Sequence, residues 1–144
     1  MFDVLINDIN ESDLHLIGQE VGITRLSIAD SVAPFPIKGI LYGDSQRIFI
    51  PAVITKKSIN VHVLFLIDTG SPNTYLREDT LMTLGFTAVI PSGTLVKINN
   101  VGLTVHLSRG HFANVDLLGQ DFFISLGALL TVNYKRKEVI VTQA

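Results

Sequence analysis

The chain has 144 residues, 47% of them hydrophobic and 17% charged, which describes one compact globular domain and excludes a disordered tail. Eleven basic against thirteen acidic residues give a formal charge of -2, which argues against a nucleic-acid partner and against a polybasic membrane anchor. There is no cysteine, so disulfide frameworks, thiolate metal sites and cysteine nucleophiles are excluded.

Met1-Phe2-Asp3 opens acidic, without the basic start and apolar stretch of a secretion signal. The longest apolar runs, 61–67 and 124–132, fall far short of the ~18–20 residues that span a bilayer. The expectation is a soluble, intracellular and cytoplasmic chain with no membrane partner. Asn10-Glu11-Ser12 has the form of a glycosylation sequon but, without a secretion signal, reads as a surface or capping segment. Residues 1–40 read as an N-terminal extension, broken at Pro34-Phe35-Pro36, in which Leu14–Glu20 stays open between helix and strand. No internal repeat or low-complexity tract is present.

Residues 41–144 read as a single, mainly β domain: short strands separated by turn signals. Gly43-Asp44-Ser45-Gln46 is a turn, lacking the second glycine of a serine-hydrolase elbow. Arg47–Thr55 is a strand whose Pro51 suggests an edge or a bulge. After the polar turn 56–60, Val61–Ile67 returns as a buried strand that leads into Asp68-Thr69-Gly70-Ser71. Arg77–Leu84 predicts a short helix capped by Gly85. Leu95–Ile98 and Val101–Ser108 predict a hairpin around Asn99-Asn100, a pair suited to positive φ. Val115–Leu118 is an apolar strand ending at Gly119, and Gln120–Leu126 a short helix closed by Gly127. Leu129–Tyr134 and Val139–Thr142 predict a last hairpin, turned by a solvated Lys135-Arg136-Lys137.

The chemistry concentrates where the strand 61–67 delivers Asp68. Amide hydrolysis is slow because water is a poor nucleophile and the amine a poor leaving group. Two carboxylates sharing one proton address both: the charged one takes a proton from water while the protonated one polarises the carbonyl. In such a site Gly70 lets the chain turn with its N–H near the carboxylate, and the Thr69 hydroxyl can bond the facing loop. The Ser71 hydroxyl can bond a carboxylate oxygen, and Gly119 lets a second strand pass close beneath. The four histidines, 15, 62, 106 and 111, show no paired ligand spacing, so no metal is expected, and no glycine-rich phosphate loop is present.

Residues about 47–142 resemble the retropepsin-type aspartic peptidases: retroviral and retrotransposon proteases and their cellular, Ddi-like relatives. The resemblance rests on Leu66-Ile67-Asp68-Thr69-Gly70-Ser71 followed by Leu117-Leu118-Gly119-Gln120-Asp121-Phe122. It implies a closed, barrel-like sheet with one or two short helices. Asp68 would be the catalytic carboxylate and Thr69 the lock across the dyad, with Gly70 touching substrate backbone and Leu118 and Gly119 shaping the supporting loop. The chain carries one Asp-Thr-Gly, whereas two-lobed pepsin-like enzymes carry two such motifs, so the resemblance implies a homodimer with one Asp68 from each subunit. The substrate would be an extended peptide or polyprotein, cleaved without a cofactor, and the C-terminal strand Val139–Thr142 would pair across the dimer. Pro91-Ser92-Gly93-Thr94 is the favoured flap over the substrate, with Asn99-Asn100-Val101-Gly102 the second choice. The alternatives are a catalytically inactive retropepsin-like module that dimerises or binds extended peptides, and a structural piece of a mobile-element polyprotein.

Overall fold

The computed structural model describes residues 8–32, 34–86 and 93–143. Its first element, α1 (Glu11–Val21), settles the choice left open at Leu14–Glu20 in favour of helix. Asn10 accepts from the Asp13 amide (3.0 Å) while the Asp13 carboxylate accepts from the Asn10 amide (2.8 Å), a reciprocal capping box. Gly22, at φ 84°, closes the other end. Leu14 and Ile17, three apart on one face, are buried against the sheet.

The sheet is built from β1 (Ile37–Tyr42), β2 (Arg47–Lys56), β3 (Ile59–Ile67), β4 (Thr74–Leu76), β5 (Thr94–Ile98), β6 (Val101–Leu107), β7 (Asp116–Leu118), β8 (Ala128–Asn133) and β9 (Glu138–Gln143). Two short helices, α2 (Glu78–Thr83) and α3 (Gln120–Leu126), interrupt it. Strands β3, β7, β4, β6, β5 and β2 follow one another around a closed barrel, because β2 pairs back onto β3. The remaining order, β1-β9-β8, extends from β2 as an arm. A division of the chain at residue 41 cuts through β1, and α1 packs on the same sheet as the barrel strands.

The largely apolar character of β3, unbroken from Val63 to Ile67, has a direct cause. Val61, Val63, Phe65 and Ile67 point into the barrel core with Ile50, Ile54, Leu76 and Leu118. Leu64 and Leu66 point the other way, into a second core with Phe49, Leu117 and the buried side of α1. A strand covered on both faces has no solvent side to leave polar.

Pro51 does not mark an edge or a bulge. On one side of β2, Phe49 to Lys56 pair continuously with β3. On the other, β1 pairs only as far as Phe49 and β5 only from Ile54, so Pro51 occupies the gap where the strand changes partners. The missing amide hydrogen costs no ladder bond there.

The β5–β6 hairpin turns at Asn99 (φ 44°) and Asn100 (φ 69°) as the residue pair predicts. This tip is fastened, not free. The Asn99 amide donates to the Val53 carbonyl (2.9 Å), and the Val53 amide donates to Asn99 Oδ1 (2.7 Å). The second-choice flap is therefore a pinned turn in the barrel wall. Of the favoured flap, Pro91 and Ser92 lie outside the described residues, while Gly93 and Thr94 lead into β5. At the other end of the sheet, β9 runs between β1 and β8 with ladder bonds on both sides. Among the described residues the open edge of this arm thus belongs to β8, whereas the resemblance implied that the C-terminal strand would be the one to pair with a second copy.

Replacing Asn99 by Ala should lower stability by about 2 kcal/mol in urea denaturation, since it strands the buried Val53 amide and places a Cβ residue at positive φ without a side-chain bond. An unchanged midpoint would contradict the pinned-turn account.

Candidate active site

Strand β3 ends by presenting Asp68 at a sharp turn. The Asp68 amide donates to the Leu118 carbonyl (3.0 Å), the Ser71 amide to the Asp68 carbonyl (3.0 Å), and the Gly70 amide to Asp68 Oδ1 (2.9 Å). A Cβ on Gly70 would press to 3.2 Å from that same oxygen, so the glycine keeps the turn tight against the carboxylate. Asp68 is partly exposed in the single chain, and Thr69 and Gly70 are exposed. The Ser71 hydroxyl takes a different role from the one expected. It donates to the Asn73 carbonyl (2.7 Å), bracing the descending limb of the loop instead of the carboxylate.

Beneath this loop runs the second motif. Strand β7 pairs parallel to β3, with Ile67 opposite Leu118, and antiparallel to β4, with Leu117 opposite Tyr75. Gly119 then passes under the loop so closely that a Cβ would fall 2.1 Å from the Asn73 carbonyl oxygen and 2.7 Å from that of Ser71. Only glycine fits without displacing backbone. The next residue clamps the loop twice: the Gln120 amide donates to the Ser71 carbonyl (2.8 Å) and its side-chain amide to the Thr69 carbonyl (3.1 Å). Thr74 adds a third tie, accepting from the Gly119 amide (3.1 Å) and donating to Asp121 Oδ1 (2.7 Å). That same oxygen also accepts from the Phe122 amide (2.9 Å) in the first turn of α3. The structure thus brings Asp68, Thr69, Gly70, Ser71, Leu118 and Gly119 into one bonded unit, to which sequence reasoning had not assigned Thr74, Gln120 or Asp121.

Behind β7 lies a buried ionic network. Asp116, fully buried, accepts from the Arg77 amide (2.8 Å) and the Thr80 hydroxyl (3.0 Å), with an Arg25 nitrogen 3.8 Å away. Arg25 also pairs with Asp79 (2.7 Å), and Arg77 grips Asp79 through two nitrogens while reaching Glu11 on α1 (2.6 Å). The Nε of Arg25 is buried without a hydrogen-bond partner among the described residues. Burial pushes the Asp116 carboxyl up to about 6, against the pull of Arg25, the Arg77 amide and Thr80, with Asp79 adding to the rise. For Asp79, burial also pushes upward, but the hydrogen bonds and charges of Arg25 and Arg77 outweigh it and hold the carboxyl below its usual value. One signal was visible beforehand: Asp116 is a charge placed inside an apolar strand.

Two hollows lined by described residues open on the loop. A cleft of about 160 Å³ is lined by Asp68 and Ile67 together with Ser45 and Gln46 of the β1–β2 turn and Arg47 at the start of β2. A larger one of about 560 Å³ runs from Asn73 and Tyr75 to His106, Arg109, His111 and Phe112. Among the described residues no group of three carboxylate or imidazole side chains could hold a metal ion, and no helix is long and apolar enough to cross a membrane.

The chain is similar to a crystal structure of a retropepsin-like aspartic protease from Rickettsia conorii, with a TM-score of 0.54 and 17% identity over 80% of this chain and 96% of that one. No protein-family model matches the chain, and no curated protein does. The likeness is one of fold: the chain has a retropepsin-like fold, mainly β, closed into a barrel as the sequence led one to expect.

Replacing Gly119 by Ala should cost about 3 kcal/mol, because the loop carbonyls have no room to retreat; thermal or urea unfolding checks this. For Asp116 the sign follows from linkage. A carboxyl raised from its usual 3.8 to about 6 holds its proton more tightly when folded. Its contribution is therefore full below the usual value and falls away as pH rises through about 6. Asp79 and Asp8, held low in the fold, act oppositely and lose their contribution on acidification. Asp116→Asn removes only the first component, so its stability relative to wild type should rise between about pH 4 and 6. A difference independent of pH would contradict the burial-driven shift.

Proposed function

We propose that this chain is an aspartic endopeptidase whose active site is completed by a second copy. The supporting observation is the bonded unit around Asp68: a carboxylate fixed by the Gly70 amide on a loop clamped from below by Leu118, Gly119 and Gln120. Such rigidity is what positioned acid–base catalysis demands. One protomer supplies one carboxylate of this kind, so the proposed reaction needs Asp68 from each of two subunits, sharing a proton. The charged Asp68 removes a proton from water as that water attacks the peptide carbonyl. The protonated Asp68 gives its proton to the carbonyl oxygen; as the tetrahedral intermediate collapses, the proton taken from water passes to the leaving nitrogen and the intermediate's hydroxyl returns a proton to the other Asp68. The exposed Thr69 hydroxyl is the group available to bond the facing loop. Among the described residues β8 is the open edge of the sheet, and with its exposed Leu129 and the exposed Ile124 of α3, a helix that packs on β8, it is the surface offered to a second copy. Substrate would lie extended between the Asp68 loops and a covering hairpin, its alternate side chains entering the hollows on either side.

A second reading is a retropepsin-like module that dimerises or binds extended peptides without cleaving them. The observation in its favour is the Ser71 hydroxyl, which is committed to Asn73 and so adds no bond to the carboxylate.

Digestion of a peptide library separates the two. Wild type should cleave with a bell-shaped pH profile, and Asp68→Asn should lose at least about a thousandfold in rate with circular dichroism and sedimentation unchanged. Cleavage that survives in Asp68→Asn sinks the peptidase reading; a folded, dimeric wild type that cleaves nothing leaves the binding module.

A further inference from the structure

The 560 Å³ hollow next to the Asp68 loop has a charge character that the reaction does not require. Its floor is Tyr75, whose ring meets Phe112 edge-on at 5.0 Å and lies 5.7 Å from the His106 ring. Around this apolar base stand the nitrogen donors of Asn73, Arg109 and His111, and no acidic residue among the described ones lines the hollow. In a chain of net charge -2, this is a local reversal of sign.

The wall that carries Arg109 and His111 is fixed at both ends. The Ser108 amide donates to the Leu76 carbonyl (2.8 Å), and its buried hydroxyl donates to the Val115 carbonyl (2.9 Å). Between them the Phe112 amide bonds the Arg109 carbonyl (3.2 Å) and the Val115 amide the Phe112 carbonyl (3.2 Å). Arg77 adds a bond to the Asn114 carbonyl (3.0 Å). Gly110, at φ 57°, makes the turn that lets the residues on either side of it line one hollow. Arg109 is exposed and forms no ion pair with a described residue. The hollow reaches the reacting loop through Asn73, whose carbonyl is the acceptor of Ser71.

From this we infer that the hollow is a specificity subsite for an acidic side chain of the bound peptide, with Arg109 the group that selects it. A glutamate or aspartate would lay its methylenes on Tyr75 and Phe112 and bring its carboxylate to the Arg109 guanidinium, with the His111 and Asn73 nitrogens as further donors. A guanidinium suits this task because its planar fork meets both carboxylate oxygens at once. The inference rests on the reading of Asp68 as the centre over which a peptide lies.

The test separates the two claims. Short C-terminally amidated peptides, identical except for Glu, Gln or Lys moved through each position, are titrated by fluorescence polarisation against the full chain carrying Asp68→Asn, so that binding is read without turnover. At one position Glu should bind about tenfold tighter than Gln, and Lys weaker than either. Adding Arg109→Gln should erase the Glu–Gln difference, while Arg109→Lys should retain part of it. Equal binding of Glu and Gln at every position overturns the subsite, as does a Glu preference that survives Arg109→Gln. A further arm compares free and amidated C termini; a preference for the free terminus that is indifferent to Glu overturns the side-chain assignment. Wild type that cleaves the library with no acidic preference removes the subsite and keeps the peptidase. Arg109-dependent Glu binding with no cleavage by wild type keeps the subsite and removes the peptidase.

Discussion

Everything distinctive about this molecule depends on the passage of Gly119 beneath the Asp68 loop. The backbone there runs where a single Cβ would sit 2.1 Å from a carbonyl oxygen, too close for any side chain. That approach allows the Leu118 carbonyl, the Gly119 amide and the Gln120 amide to bond successively to Asp68, Thr74 and Ser71. Each bond fixes one point of a loop that would otherwise be free to rotate its carboxylate. A loop held at several points can deliver a reacting group to within a fraction of an ångström, which is the tolerance that positioned catalysis sets.

The barrel explains why the crossing is stable. Strand β3 is buried on both faces, by the barrel core on one side and by α1 and its apolar partners on the other. Strand β7 beside it carries Asp116 into the network of Arg25, Arg77, Asp79 and Glu11, which joins α1, residue 25, the α2 region and β7. Burying an ionic network is costly unless its members satisfy one another, and one arginine nitrogen here stays unsatisfied among the described residues. What the network supplies is a defined position for β7, and hence for Gly119. The back of the site is therefore rigid and the front open: Asp68 is partly exposed, and the hollows beside it lead outward.

The sequence revealed the parts of this design that depend on neighbours along the chain. Asp68-Thr69-Gly70 at the end of an apolar strand, the Asn99-Asn100 turn and the helix ending at Gly127 all carry local signals, and each has the local conformation those signals predict. Helix α1 was also written locally, in Asn10 and Asp13, but its few apolar positions fit either period until the capping box is seen. What could not be read were pairings between distant residues. Nothing near Pro51 says that β2 changes partners there, and nothing near Val139 says that β9 will be enclosed by β1. Ser71 was assigned by chemical plausibility to a carboxylate; the acceptor it bonds is the Asn73 carbonyl, two residues on. Arg109 follows β6 while Tyr75 lies on β4, and the parallel pairing of β4 with β6 helps bring them to one hollow.

The central claim is that one Asp68 is half of a site, and subunit mixing tests it most directly. Wild type is held at fixed total protein while its share is replaced by Asp68→Asn, with time for subunits to exchange. If each site needs a carboxylate from both copies, activity should fall as the square of the wild-type fraction, since every mixed dimer is dead. Activity that falls only in proportion to the wild-type fraction would mean that each chain works alone, and would contradict the account.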